Sequence, residues 1–317
     1  MVNSLAVDAR EITLAPYPIE YRYHERIISP DSGREVGFPL RVFHLRDLGI
    51  DTRAFIHDLA PSFQDLPWDT YDLKREQLYF LQSAFPDATA RLKRFYDEYY
   101  AGHATLNDVS DLIGALRPAK RHGFHAIRPS RRRSVARFHL RKLGPCRWCV
   151  TRLPAGGFSQ TQGGDDPRGK ARVFAEMPQE TAQRPEFQKF LIRLGEIVER
   201  IHQRPEQLDI TAHQMGVVAR HGKFGDNAPE GLHKDGTDYI VSALVVERKA
   251  VRGGVSTVYG DDRQTVYLSL TLRPGEGIFQ ADQESPFWHD VTPVYLDPQA
   301  HAIEGQRNIF GFDIRVL

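Results

Sequence analysis

The feature that most limits what this chain can fold into is a change of hydrophobic period near residue 211. Upstream, Leu78, Phe80, Leu81 and Phe85, then Leu92, Phe95, Tyr96 and Tyr99, recur at helical spacing. Asp87, just after Pro86, is the expected cap of the second of these helices, and Asn107 of a third that ends before Pro118. The clearest helix is 185–203. Phe187, Phe190, Leu191, Leu194 and Ile197 form one apolar stripe there, and Pro185 opens its first turn, where a missing N–H costs nothing. From 211 onward the pattern is that of short strands: TAHQMGVVARH, DYIVSALVVE, GVSTVYG, TVYLSL, EGIFQAD, HDVTPVYL and RNIFGFDIRVL. Turn chemistry such as Gly253-Gly254, Gly260-Asp261 and Pro274-Gly275 separates them, which predicts an antiparallel sandwich, jelly roll or barrel. Residues 12–48 read as further short strands with a turn at Pro30–Gly33. No Ser- or Gly-rich linker divides the chain. The expected organisation is an α+β single catalytic unit, with a mostly helical extension over 1–130 packed on a β core over 131–317.

Composition narrows the function classes. The 317 residues carry 42 Lys+Arg against 41 Asp+Glu, so no overall charge drives the chain to nucleic acid or an anionic membrane. No run of about 18 apolar residues exists, and Asp8, Arg10 and Glu11 interrupt the N-terminus before a signal-peptide core could form. Two cysteines exclude a disulfide framework. A cytoplasmic protein with a small-molecule substrate is the expectation; the oligomeric state is not legible.

The most informative stretch is Gly231-Leu232-His233-Lys234-Asp235-Gly236. On extended backbone, residues i and i+2 share a face, so His233 and Asp235 can reach one metal ion. With 13 histidines and 41 acids in the chain, a His-x-acid pair arises by chance once or twice, so the spacing alone carries little weight. Its context adds weight. The apolar strand DYIVSALVVE follows directly, His289 opens a later strand, and Arg307 begins the last one. Two histidines and a carboxylate make a facial triad that leaves metal positions open for a co-substrate and O₂. An arginine nearby suits a carboxylate, which its planar fork binds with two parallel hydrogen bonds.

Region 229–315 resembles the 2-oxoglutarate- and iron-dependent oxygenase family that includes the bacterial L-isoleucine dioxygenases. The blocks that carry the resemblance are PEGLHKDGTDYIVSALVVERKAVRGGVSTVY, GEGIFQAD, FWHDVTPV and RNIFGFDI, in that order. The resemblance implies a double-stranded β-helix (jelly-roll, cupin-like) core, with Fe(II) held by His233, Asp235 and His289. It also implies that Arg307 clamps the distal carboxylate of 2-oxoglutarate, and that O₂ is consumed with release of succinate and CO₂. It points to hydroxylation of a small polar molecule, above all a free L-amino acid or derivative, with desaturation and epimerisation as alternatives. Halogenation is disfavoured because Asp235 fills the carboxylate position that a halide would need. Arg307 follows His289 by 18 positions, a longer gap than is common in the wider superfamily. The insert YLDPQAHAIEGQ is therefore expected to form a hairpin excursion, with Arg315 as the alternative clamp.

Further candidates are weaker in pattern. Tyr259, closing GVSTVY, could hydrogen-bond the co-substrate carboxylate, or pack in the core. Gln214, in HQMGVVA, could face the substrate, or solvent. Gly156–Gly164 could be a lid or an ordinary loop. Residues 117–142 hold ten Lys/Arg and three His, and no acid occurs between Asp111 and Asp165. Nucleic-acid binding is the alternative that this run raises, but only Phe124 and Phe138 interrupt it, thin for base stacking. Cys146-Arg147-Trp148-Cys149 matches Cys-x-x-Cys, but a strand follows where a redox motif wants a helix, so two structural or free thiols are expected. A cupin-like non-oxidative metalloenzyme could use the same three ligands.

Overall fold

The computed structural model describes residues 38–145, 147–154, 173–202 and 205–317. The Pro30–Gly33 turn, Cys146 and the Gly156–Gly164 segment lie outside them.

The N-terminal part begins with strand β1 (Leu40–His44) and helix α1 (Thr52–Leu59), which Asp51 caps by accepting from the N–H groups of Arg53 and Ala54. Helices α2 (Thr70–Ala84), α3 (Thr89–Ala101), α4 (Ser110–Ala115) and α5 (Pro118–His125) follow. Their apolar faces gather Leu78, Leu81, Leu92, Phe95, Val109 and Phe124 into a separate small core. Two expected caps move. The α3 N-cap is Ala88, because Pro86–Ala88 forms its own 3₁₀ turn around Asp87. Thr105, not Asn107, caps the next turn, in a reciprocal box with Asp108.

Strands β2 (Arg131–Gly144) and β3 (Arg147–Leu153) come next, then the short α6 (Gln179–Ala182) and α7 (Pro185–Ile201). The remainder is β4 (Gln207–Arg220), β5 (Tyr239–Lys249), β6 (Val251–Gly253), β7 (Val255–Tyr259), β8 (Val266–Thr271), β9 (Glu276–Ala281), β10 (Trp288–Val291), β11 (Val294–Leu296) and β12 (Glu304–Val316). The strands expected after 211 are present; HDVTPVYL divides into β10 and β11, and β6 is an additional short strand. The basic run is only half a surface tract: its first half is largely exposed, and its second half is β2, a 14-residue strand inside the main sheet. The 295–306 insert is a 3₁₀ turn at Pro298–Ala300 between β11 and β12 rather than a hairpin.

The fold is a mixed helix and antiparallel-sheet structure. A seven-stranded sheet runs β1-β9-β5-β12-β4-β2-β3, a three-stranded sheet β10-β7-β8, and a ribbon pairs β11 with β6. Alternation along β12 sorts the two faces of the large sheet. Phe310 and Phe312 meet Phe187 and Phe190 of α7, with ring centroids 5.2 Å (Phe187–Phe310) and 5.0 Å (Phe190–Phe312) apart, in the main core. Ile309, on the opposite face, packs with Ala243, Val245 and Ile278 against Leu268 and Leu270 of the small sheet. No helix among the described residues is long and apolar enough to cross a membrane.

Candidate metal centre

His289 lies on β10 opposite Val258 of β7, and Val258 lies opposite Leu268 of β8. Cross-strand partners share a face, so the His289 ring enters the space between the sheets. His233 joins it through a two-way backbone bridge, His233 N–H to His289 O and His289 N–H to His233 O, each 3.0 Å. Gly231 (φ 66) and Gly236 (φ 86) turn the chain on either side of the motif, in the left-handed region that glycine tolerates. The buried Asp282 carboxylate then accepts the N–H groups of Asp235 (3.2 Å), Gly236 (2.6 Å) and Thr237 (3.0 Å), pinning the loop. Burial and the neighbouring Asp235 charge raise the Asp282 pKa.

The result is a convergent donor set. Ligand atoms of His233, Asp235 and His289 all lie within 4.8 Å of one another. His233 Nε2 is 3.6 Å from Asp235 Oδ1, and His289 Nε2 is 3.4 Å from Asp235 Oδ2. Glu230 Oε1 stands 3.5 Å from the same His233 nitrogen. His233 Nδ1 donates to Gly231 O at 2.7 Å, which leaves the Nε2 lone pair for a metal when the ring is neutral. Burial alone would lower the His233 pKa, but the Asp235 carboxylate, with Glu230 behind it, outweighs burial and lifts it to about 9. Burial would likewise raise Asp235, but hydrogen bonds from His233 and His289 hold it well below the usual carboxylate range. Two imidazoles around one carboxylate, each turning Nε2 inward, fit a divalent ion that prefers N/O ligands.

Arg307 is completely buried on the inter-sheet face, two residues before Ile309. Its Nη1 donates to Asn227 Oδ1 at 3.0 Å, while Nε and Nη2 have no partner. Arg315, the alternative, is exposed at the far end of β12.

The two remaining expectations fail on strand phase. Gln214 is buried but faces the helices, accepting from Ser134 Oγ at 3.0 Å and donating to Ser62 Oγ at 2.7 Å. It ties the turn after α1 to the sheet. Tyr259 pairs with Trp288, one residue out of phase with the Val258–His289 pair, so its side chain faces away from the metal centre. The inward residues on these strands are their neighbours. His213 Nε2 donates to Asp313 Oδ2 (2.8 Å), and its Nδ1 accepts from Arg133 Nη2 (2.9 Å). Ser256 Oγ is buried without a partner. Gln280, on the Ile278 face of β9, is fully buried with both amide atoms unpartnered. Asp313 shares the parity of Arg307, so the face of Arg307 was the signal that could have found it.

At the start of β2 the basic run is answered internally. Arg131 pairs with Asp69 at 3.0 Å, and Arg132 lies over Trp68 at 4.3 Å.

Comparisons with known proteins agree with this geometry. The family described as 2OG-Fe dioxygenase matches residues 122–313, more than half of the chain. Among solved structures, a bsmA homologue from Methylobium petroleophilum PM1 superposes with a TM-score of 0.58 at 19% identity, covering 87% of this chain and 88% of that one. More distant are IDO from Bacillus thuringiensis (TM-score 0.48, 18% identity, 59% and 79% covered) and the Fe(II)/α-ketoglutarate-dependent dioxygenase TqaL (0.43, 16%, 76% and 89%). No curated protein matches the sequence. The family works with Fe(II), 2-oxoglutarate and O₂, and the His-Asp-His cluster falls inside the matched span. The chain is thus an oxidoreductase belonging to the 2OG-Fe dioxygenase family.

Proposed function

We propose that this chain is a hydroxylase of a small polar molecule, most simply a free L-amino acid or a derivative, that releases succinate and CO₂. In this reading the two facing sheets form a double-stranded β-helix over 131–317, and 1–130 is an extension packed on it. His233, Asp235 and His289 hold the metal, and Arg307 receives the distal carboxylate of 2-oxoglutarate. The observation that carries the reading is the meeting, in one inter-sheet space, of three convergent ligands and a buried guanidinium with unused N–H groups.

When loaded, the centre supplies oxidative decarboxylation of 2-oxoglutarate coupled to oxygen insertion at a C–H bond. The protein's part is positioning and exclusion of water. Asp282 fixes the ligand loop through its three backbone contacts. Asn227 orients Arg307 from one side, donating its own amide to Thr292 O at 2.7 Å. The packed layer of Ile309, Val245 and Leu270 keeps the space between the sheets dry.

A polar substrate is supported by what the inter-sheet face offers beyond the metal ligands. Asp313 and Arg133, bridged by His213, supply opposite charges for an ammonium and a carboxylate. Gln280 adds an unmet donor and an unmet acceptor. Purified protein with Fe(II) and ascorbate should release succinate when the right member of a panel of proteinogenic amino acids and common derivatives is added. A chelator should stop the reaction, and zinc should not restore it. No stimulation across the panel would refute the amino-acid reading. No dependence on Fe(II) would refute the oxidative one.

A further inference from the structure

Arg248 of β5 lies directly opposite Arg307 of β12 in the large sheet. Like charges facing each other across a strand pair destabilise it, and burial makes the cost larger. Burial and the Arg248 charge together push Arg307 down to about 9. Nothing in the sheet answers this charge. Among the described residues the hydrogen bonds of the two guanidinium groups end on neutral oxygens: Arg307 Nη1 on Asn227 Oδ1, and Arg248 Nη2 on Gly253 O at 2.6 Å. Arg307 Nε and Nη2 and Arg248 Nη1 are buried and unpartnered.

The third wall is β7. Gly254 (φ 67), the residue that leads into it, brings the backbone so close that an added Cβ would sit 3.1 Å from Arg248 Nη1 and 3.1 Å from Arg307 Cδ. Two residues on, Ser256 faces the same inter-sheet space, opposite Leu270, and its buried Oγ has no partner. Four unused donors therefore face the same inter-sheet space: three guanidinium nitrogens and a hydroxyl. A carboxylate offers about four lone-pair directions, so one carboxylate can satisfy them all.

We infer that Arg248 and Ser256 complete, with Arg307, a two-guanidinium site for the distal carboxylate of 2-oxoglutarate, and that Arg248 sets the preference for keto diacids over keto monoacids. This rests on the functional reading above. It explains why a buried like-charged pair persists: the co-substrate supplies the counter-charge on binding.

The test is calorimetric titration of Mn(II)-loaded protein, which binds without turning over. The ligands are 2-oxoglutarate and 2-oxobutyrate, which shares the chelating end but lacks the distal carboxylate. Arg248→Leu should weaken 2-oxoglutarate about 10- to 100-fold, the range for losing a hydrogen bond to a charged group. It should leave 2-oxobutyrate nearly unchanged, so the ratio of the two affinities falls. Arg248→Lys should recover part of that ratio, and Ser256→Ala should show a smaller loss in the same direction. Unchanged 2-oxoglutarate affinity in Arg248→Leu, or equal losses for both ligands in Arg248→Leu and Arg248→Lys, would overturn the inference. Wild-type protein that binds Mn(II) but no 2-oxoglutarate would instead overturn the functional reading itself, and the inference with it.

Discussion

His233 and His289 are coupled twice: their backbones exchange two 3.0 Å hydrogen bonds, and their Nε2 atoms approach opposite oxygens of one carboxylate, Asp235. The imidazole centroids are 4.2 Å apart. Residues 56 positions apart in sequence thus act as one rigid claw, because the bridge between their strands fixes both Cα positions. Preorganisation of this kind lets three side chains hold an ion without ordering a loop when it arrives.

Asp235→Ala should therefore lower metal affinity by more than about 100-fold, since even partners outside the ligand set are worth 10- to 100-fold. Far-UV circular dichroism should stay native, because the core lies on the other side of the large sheet. Wild-type turnover in this variant or in His233→Ala would remove the triad.

Proton competition is the second consequence. His233 is held protonated up to about 9 in the metal-free protein, above the usual imidazole value of about 6.5. Its ion pairing then stabilises the metal-free fold fully below that ordinary value, and the contribution is lost as pH rises through about 9. A metal needs the neutral ring, so binding at neutral pH should release a proton, and affinity should rise with pH until the ring is neutral. Calorimetry in buffers of different ionisation enthalpy reads this directly. Binding with no proton release would contradict the assignment of His233.

Asp282 tests the support of the loop. Asp282→Asn leaves only one acceptor oxygen and turns an N–H₂ toward backbone donors. Metal affinity should fall about 10- to 100-fold, with global stability reduced less than by a core truncation such as Phe310→Ala, about 3–5 kcal/mol. Metal titration and chemical denaturation separate the two. Unchanged metal affinity would show that the loop holds its shape without the carboxylate.

Gln214 makes the opposite prediction. Its amide joins Ser134 and Ser62 on the helix side of the sheet. Gln214→Leu should cost about 1–3 kcal/mol through the orphaned buried Ser134 hydroxyl and leave KM for 2-oxoglutarate and substrate unchanged. A changed KM at wild-type stability would return Gln214 to the site.

Gln214 also shows where the sequence stops being readable. Period two identifies a strand but not which parity faces which layer, and a shift by one residue exchanges the faces. His213 and Gln214, or Val258 and Tyr259, become distinguishable only when the partner strand is known. The strands after 211 and α7 were legible because their patterns are local, alternation and a helical stripe; of the His-Asp-His cluster only His233-x-Asp235 between glycines is local, and His289 entered through the family resemblance. β2 was hidden because its arginines look solvated. Their counterparts are distant in sequence: Asp69 for Arg131, with a separation of 62, and His213 for Arg133, with a separation of 80. Arg248 was hidden for the same reason, since an ordinary-looking strand end acquires meaning only when β12 sets Arg307 opposite it.

The most direct measurement is anomalous diffraction from crystals grown with Fe(II) under anaerobic conditions. The account predicts one ion at about 2.0–2.2 Å from His233 Nε2, His289 Nε2 and an Asp235 oxygen. An ion bound elsewhere, or density at these residues that lacks iron's absorption edge, would contradict it.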